Sequence, residues 1–187
     1  MINLVDDMTY FINEVGKDIT IGDVTVKALI KSFPVGDFDD KEISTLHPIK
    51  RGNIVEFDEI DYLVISESVS KKPLLFKAKM RNINHTIIKK GEIVPIKWDK
   101  FGNPIEWTEG EDKTFYCIVD TQKFAIAEGA VRVATGEIII TIADNEEYRS
   151  EFAINSTVDV VGGTYKVVNH DLTKKGLITM TCEKVTV

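Results

Sequence analysis

Histidine is scarce in this chain, and the scarcity removes much metal and nucleophile chemistry. His47, His85 and His170 are the three present. No two of them sit at i,i+3 or i,i+4, and none is spaced from a cysteine as zinc ligands are. Cysteine is scarcer still. Cys117 and Cys182 are the two, which excludes a disulfide framework and leaves both as small buried hydrophobes in a reducing compartment. A bridge between them is the less favoured alternative.

Long apolar runs are missing. The strongest, around 137–142, lasts only a few residues, too few to cross a membrane as a helix. The opening MINLVDDMTYF has neither a basic n-region nor a continuous apolar core, so it does not read as a signal peptide and synthesis in the cytoplasm is expected. Basic excess is missing too. A net charge of -7 argues against a protein that wraps nucleic acid. It is compatible with one that lets DNA slide past, because like charges repel. The chain also lacks a phosphate-binding glycine loop, a G-x-S-x-G elbow and a dinucleotide fingerprint.

What is present is an internal repeat. A shift of 103 positions carries Gly52 onto Asn155 and lays 52–81 on 155–184 without a gap. Val55, Tyr62, Val64, Lys71, Lys72 and Leu74 fall on Val158, Tyr165, Val167, Lys174, Lys175 and Leu177. The unit reads strand, turn, strand, Lys-Lys-(Pro/Gly) turn, strand. A duplicated supersecondary unit is the favoured reading; chance likeness between two β-meanders is the other. Gly162-Gly163 replaces Glu59-Ile60 in the second copy, which predicts a tighter hairpin there.

Around the repeat, the periodicity predicts an amphipathic helix over 3–15, with Leu4, Met8, Phe11, Ile12 and Val15 on one face. Asn3 suits its N-cap and Gly16 its end. Alone it would be marginal, so its stripe must cover a sheet or meet another subunit. Residues 18–30 read as a hairpin turning at Gly22-Asp23. Residues 31–49 lose periodicity and carry Pro34, Gly36, Pro48 and several acids, which predicts a long loop of the kind that tends to be functional. Its D-x-D-D spacing lacks the glycine and closing glutamate of a calcium loop. Tyr62 to Ser66 is an unbroken apolar run, expected to be buried on both faces. Residues 84–88 read as an edge strand of the first domain.

The fold expected is all-β: two small β-barrel or sandwich domains with one N-terminal helix. The first spans 1–88, a linker or hairpin arm spans 89–113, and the second spans 114–187. Trp98 and Trp107 flank the strong turn at Gly102-Asn103-Pro104. Three readings stay open for them: cover for the seam between the domains, exposed anchors on a partner, or a stacking surface for a sugar. His170-Asp171 is a dipeptide of some metal hydrolases, but here it falls in a predicted turn without further ligands. No cofactor, metal site or catalytic group is called for, and the chain reads as no enzyme.

GKDITIGDVTVKALI (16–30), the acidic loop, KRGNIVEFDEIDYLVIS (50–66) and KAKMRNINHTI (77–87) together resemble the head-closure, or stopper, proteins of long-tailed bacteriophages. The DKFGNPI turn (99–105) and a second β-domain ending in YKVVNHDLTKKGLITMTCE (165–183) are similar in style to structural proteins of phages of low-GC Gram-positive hosts. The resemblance implies a β-barrel neck protein, made in the host cytoplasm and built into the virion. It would form a ring, a hexamer or dodecamer, between portal or adaptor and tail proteins. Double-stranded DNA would pass through without sequence-specific binding, and no membrane would be involved. Asp37, Phe38, Asp39, Asp40 and Glu42, with Trp98 and Trp107, are then the candidate subunit or channel contacts. The second domain departs from the simplest stoppers, which end after one barrel. A tail or capsid-surface structural protein, or a carbohydrate- or surface-binding module using the two tryptophans, is the alternative.

Overall fold

The computed structural model describes the backbone of residues 4–35, 38–72, 75–121 and 136–185. Helix α1 (Leu4–Val15) precedes a run of short antiparallel strands. The first barrel is made of β1 (Lys17–Ile21), β2 (Val24–Val35), β3 (Phe38–Thr45), β4 (Ile54–Phe57), β5 (Ile60–Val64), β6 (Val69–Lys72) and β7 (Leu75–Asn82). Its order is β3-β2-β1-β4-β5-β7-β6, and a further β3–β7 pairing closes the ring. Closure leaves the six ring strands without the open edges that would invite aggregation, while β6 pairs with β7 alone among the described residues. Ile19, Ile21, Ala28, Ile43, Val55, Tyr62, Val64 and Met80 point inward and form its core, each placed by the alternation of its strand.

The second barrel-like sheet uses β8 (His85–Lys89), β11 (Lys113–Thr121), β12 (Ile138–Ala143), β13 (Thr157–Val160), β14 (Gly163–Asp171) and β15 (Leu177–Lys184). Their order is β13-β14-β15-β12-β11-β8, and the two edge strands β8 and β13 come together over the core. Ile87, Phe115, Ile140, Val158, Val167 and Met180 lie inside it. A short helix α2 (Glu146–Glu151), capped by the Asn145 side chain on the Tyr148 amide, joins β12 to β13. Between β8 and β11 a two-stranded ribbon, β9 (Ile93–Trp98) and β10 (Pro104–Glu109), stands apart from both barrels.

The two sheets share one strand order. Round the first, β1-β2-β3-β7-β5-β4; round the second, β8-β11-β12-β15-β14-β13. The repeat read at a shift of 103 is its best-preserved part. Val55 pairs with Tyr62 and Val158 with Tyr165 in the same register. Gly52 N–H donates to the Val64 carbonyl at 2.9 Å, and Asn155 N–H to the Val167 carbonyl at 2.8 Å. Asn53 donates to Lys50 as Ser156 does to Ala153. The left-handed residues also coincide: Gly52 with Asn155, Asp58 with Val161, Glu59 with Gly162.

Several expectations change here. The second hairpin is not tighter than the first. Both turn on two left-handed residues, Asp58-Glu59 and Val161-Gly162, as the twist of a two-residue hairpin demands. Segment 31–49 is not a long loop: β2 and β3 pair from Ala28↔Thr45 as far as Val35↔Phe38. Strand 85–89 does not edge the first barrel; it pairs with β11, Ile87 opposite Phe115. The chain has a second helix, α2. His170 lies in β14, not in a turn, with Nε2 2.7 Å from the Phe152 carbonyl oxygen. N-cap Asn3 lies outside the described residues.

The barrels meet through a small apolar seam of Leu63, Ile118 and Leu177, flanked by Ile54, Ile65, Ile83 and Ala143. Leu63 is the outward residue between inward Tyr62 and Val64, and all three are buried. The unbroken apolar run therefore serves a core on one face and the seam on the other. Beside the seam, Arg81 holds Asp40 through Nε at 2.8 Å and Nη2 at 3.2 Å, and reaches Asp120 of the second barrel at 3.5 Å. The hydrogen bond to Asp40 holds the guanidinium above its already high pKa. Asn84 clips on the second barrel like a strand residue: its amide donates to the Val119 carbonyl at 2.9 Å and its oxygen accepts from the Val119 N–H at 2.8 Å.

Candidate assembly interface

The β9–β10 ribbon is where apolar surface is left uncovered. Its register sets Ile93 opposite Glu109, Val94 opposite Thr108 and Pro95 opposite Trp107. A pairing irregularity near Glu106 precedes Trp98 opposite Pro104. Strand alternation then places Val94, Ile96 and Trp98 on one face, and Ile93 and Trp107 on the other. All five are exposed, as are Phe101 and Ile105; Trp98 keeps 56% of its surface and Trp107 54%. Ribbons of two strands are marginal alone, and an exposed apolar patch of this kind marks a contact surface. The seam between the barrels is filled by other residues, so the tryptophans do not cover it.

The tip of the arm is organised by Asp99. Its Oδ1 accepts from the Phe101 and Asn103 amides at 2.7 and 2.9 Å, and its Oδ2 from the Asn103 side chain at 3.1 Å. These bonds to Asn103 and Phe101 hold its carboxyl below the usual range. Gly102 completes the turn in the left-handed region at φ 85°. The result presents Phe101, 78% exposed, at the extreme end.

The root is fastened by α2. Register brings two like charges, Lys89 and Lys113, opposite each other where β8 and β11 end. Glu151 lies between them: its carboxylate accepts from Lys113 at 2.7 Å and pairs with Lys89 at 3.6 Å. Glu147 adds a contact to Lys113 at 3.3 Å. The hydrogen bond to Glu151 raises the Lys113 pKa, and Lys113 in turn lowers that of Glu151. Above this clamp Gly91 and Gly110 pass so closely that a Cβ on Gly91 would stand 2.3 Å from the Gly110 carbonyl oxygen. No side chain fits between the two chains there.

The other candidate contacts separate. Asp40 is committed to Arg81, and Glu42 faces Lys77 at 3.9 Å. Neither stands free on a solvated loop. Phe38 and Asp39 lie where β2 and β3 pair only with each other, beyond the last β3–β7 pair at Lys41↔Met80; their side chains, and Asp37, lie outside the described residues. The structure thus groups Trp98 with Trp107 on the arm and leaves the acids on a different hairpin.

Sequence reasoning missed Ile93, Val94, Ile96, Phe101 and Ile105. The signal was available: IVPIKW followed by PIEWTE has no strand face that is wholly polar, although its two strands pair only with each other among the described residues. Helix α1 adds a second uncovered patch. Ile12 is fully buried against β2, while Tyr10, Phe11 and Val15 remain exposed. Among the described residues there is no cluster of His, Cys, Asp and Glu that could hold a metal, and no helix long and apolar enough to cross a membrane. Burial pushes the thiols of Cys117 and Cys182 up to about 12 and about 11, and both are free.

No curated protein and no solved structure matches the chain. Two models of one family do. The YomX N-terminal domain matches residues 1–82, which hold α1 and the first barrel. The YomX C-terminal domain matches residues 103–183, from the descending half of the arm nearly to the end of β15. Residues 83–102, with β8 and the ascending half of the arm, fall between them. With both domains present in order over most of its length, the chain belongs to the YomX family, a family of phage-derived proteins.

Proposed function

We propose that this protein is a non-enzymatic structural component of the phage particle, joined to its neighbours through the β9–β10 arm. The single observation that carries this reading is the arm itself, apolar on both faces and paired with no other strand among the described residues. A ribbon of this kind is inserted between surfaces rather than laid on one, so it suits a symmetric assembly in which each copy grips another. The finer reading is the neck: a head-closure or head–tail connector ring between portal and tail, with DNA passing through. Its support is the likeness of 16–30, 50–66 and 77–87 to stopper proteins. A net charge of -7 suits a lumen in which DNA must not stick.

A tail or capsid-surface structural role is the second reading, and the arm would serve there equally. The carbohydrate-module alternative loses ground, because Trp107 shares a face with Pro95 while Trp98 stands on the other. The pair offers no common stacking platform. Gold-labelled antibody against the protein, viewed on purified particles by electron microscopy, tests the proposal. Label at the head–tail junction supports the neck, and label on the tail shaft or capsid supports the second reading. Particles free of the protein overturn both.

A further inference from the structure

A cleft of about 480 Å³ opens where the two barrels meet, lined in part by Lys50, Arg51, Ser68 and Lys175. Lys50 and Arg51 come from the connection between β3 and β4, and Lys175 from the β14–β15 turn. The close backbone approach of Gly52 and Gly176 brings them to one place. In a chain with a net charge of -7, this cleft gathers three cations against two acids, Glu67 and Asp144.

The local charges do not cancel. Asp144 is already held by Arg149, through Nε at 2.6 Å and Nη2 at 2.8 Å. Glu67 is 73% exposed and only 3.5 Å from Arg51 Nη1. Lys50 and Lys175 have no ion-pair partner among the described residues. Setting Glu67 against the three cations leaves two positive charges, which matches one phosphate dianion or two neighbouring phosphodiesters of a nucleic-acid backbone.

The hydrogen bonding is also incomplete. The Arg51 side chain is only 15% exposed, yet its Nη1 makes two long contacts, to Glu67 at 3.5 Å and to the Lys175 carbonyl at 3.4 Å. Its Nε–H and the Ser68 hydroxyl are buried without a hydrogen-bond partner among the described residues. Largely buried guanidinium with unused donors is costly, and an anion relieves that cost. Arginine's fork fits the oxygens of a phosphate two at a time, and lysine adds point charge.

We infer that this inter-barrel cleft binds a phosphate group, with Arg51 as the fork and Lys50 and Lys175 as flanking charges. The group is supplied either by free phosphate or by the backbone of a nucleic acid. Its size leaves room for more than the phosphate alone. The site is separate from the arm, so the inference stands or falls independently of the assembly reading.

The test uses the full chain in chloride buffer, titrated at constant ionic strength with inorganic phosphate and, separately, with a short DNA duplex. Calorimetry and thermal melting are the readouts. Saturable binding of phosphate, with a rise in Tm, supports free phosphate as the source. Saturable binding of the duplex without a response to phosphate supports the nucleic-acid backbone. In either case the double variant K50A/K175A, which removes only exposed side chains, weakens binding by about tenfold or more while its Tm in chloride stays that of the parent. R51K, which keeps the charge and loses the fork, weakens it as well. No saturable response to either probe, or equal binding by K50A/K175A, overturns the inference.

Discussion

Gly52 and Gly176 touch backbone to backbone across the two barrels. A Cβ added at Gly52 would stand 2.2 Å from the Gly176 carbonyl oxygen, and one added at Gly176 would stand 2.5 Å from that of Arg51. Both residues are also left-handed, at φ 89° and 92°. The contact needs glycine on each side for two separate reasons. Asn155, the repeat partner of Gly52, keeps the same left-handed turn at φ 73° but has no barrel packed on it.

The first prediction follows from that contrast. Gly52→Ala and Gly176→Ala each combine a left-handed alanine with a backbone clash, and each should lose about 2–3 kcal/mol. Gly22→Ala is the control: it has φ 60° and nothing within 4 Å of its added Cβ, so it should lose only about 1 kcal/mol. Chemical denaturation of the three variants checks the ranking. Equal losses would contradict the claim that the barrels are packed through these glycines.

Arg81 supplies the second. Its side chain is 23% exposed, against 16% for Asp40 and 27% for Asp120. Arg81→Met leaves two half-buried carboxylates without their cation and should cost about 2 kcal/mol, discounted from a fully buried pair. Asp120→Asn removes a single contact at 3.5 Å and should cost about 0.5 kcal/mol. Urea midpoints for the two variants and the parent decide whether Asp40 or Asp120 is the main partner.

Val161 is a β-branched residue at φ 52° and is 55% exposed. Its backbone is strained and its side chain buries little. Val161→Gly should therefore stabilise the protein by about 1 kcal/mol, the reverse of the usual effect of glycine in a β-protein. A lower Tm for this variant would show that the turn is not held in the left-handed region.

The buried thiols give a pH-dependent prediction. Cys117 and Cys182 ionise at about 12 and about 11 in the folded chain, above an ordinary thiol near 8.5. A group whose folded pKa is raised contributes stability that is complete below the unfolded value and lost as pH climbs toward the folded one. Stability should then fall progressively above about pH 8.5. Cys→Ser at both positions should flatten that fall, though at a lower overall stability. In native buffer at pH 8 neither thiol should react with a disulfide reagent, and both should react in denaturant.

How far the sequence revealed this molecule depends on which contacts are local. The β4–β5 and β13–β14 hairpins were legible because Val55–Tyr62 and Val158–Tyr165 lie within one turn of each other and kept a constant shift. The rest of the duplication was hidden by a change in length. Where β1 and β2 are joined by Gly22-Asp23, β8 and β11 are separated by the whole arm, so no single shift aligns them. For the same reason 85–89 read as part of the first barrel: its partner β11 lies beyond the tryptophans. Segment 31–49 misled through composition. Pro34, Gly36 and the acids look like loop, but β2 and β3 satisfy each other's backbones, and Asp40 finds Arg81 from β7, a partner 41 residues away. Trp98 and Trp107 were visible as candidates. Their exposure was not, because sequence does not say whether a barrel lies beneath a ribbon.

The claim that the arm is the docking element is tested most directly by removing it. Replacing residues 93–109 with an Asn-Gly turn leaves the Lys89–Glu151–Lys113 clamp and both cores intact, so the purified variant should melt at the parent's Tm. Mass spectrometry of particles assembled with this variant as the sole copy then reads its incorporation. The account predicts a folded protein absent from the particle. A variant incorporated at the parent's stoichiometry would contradict it.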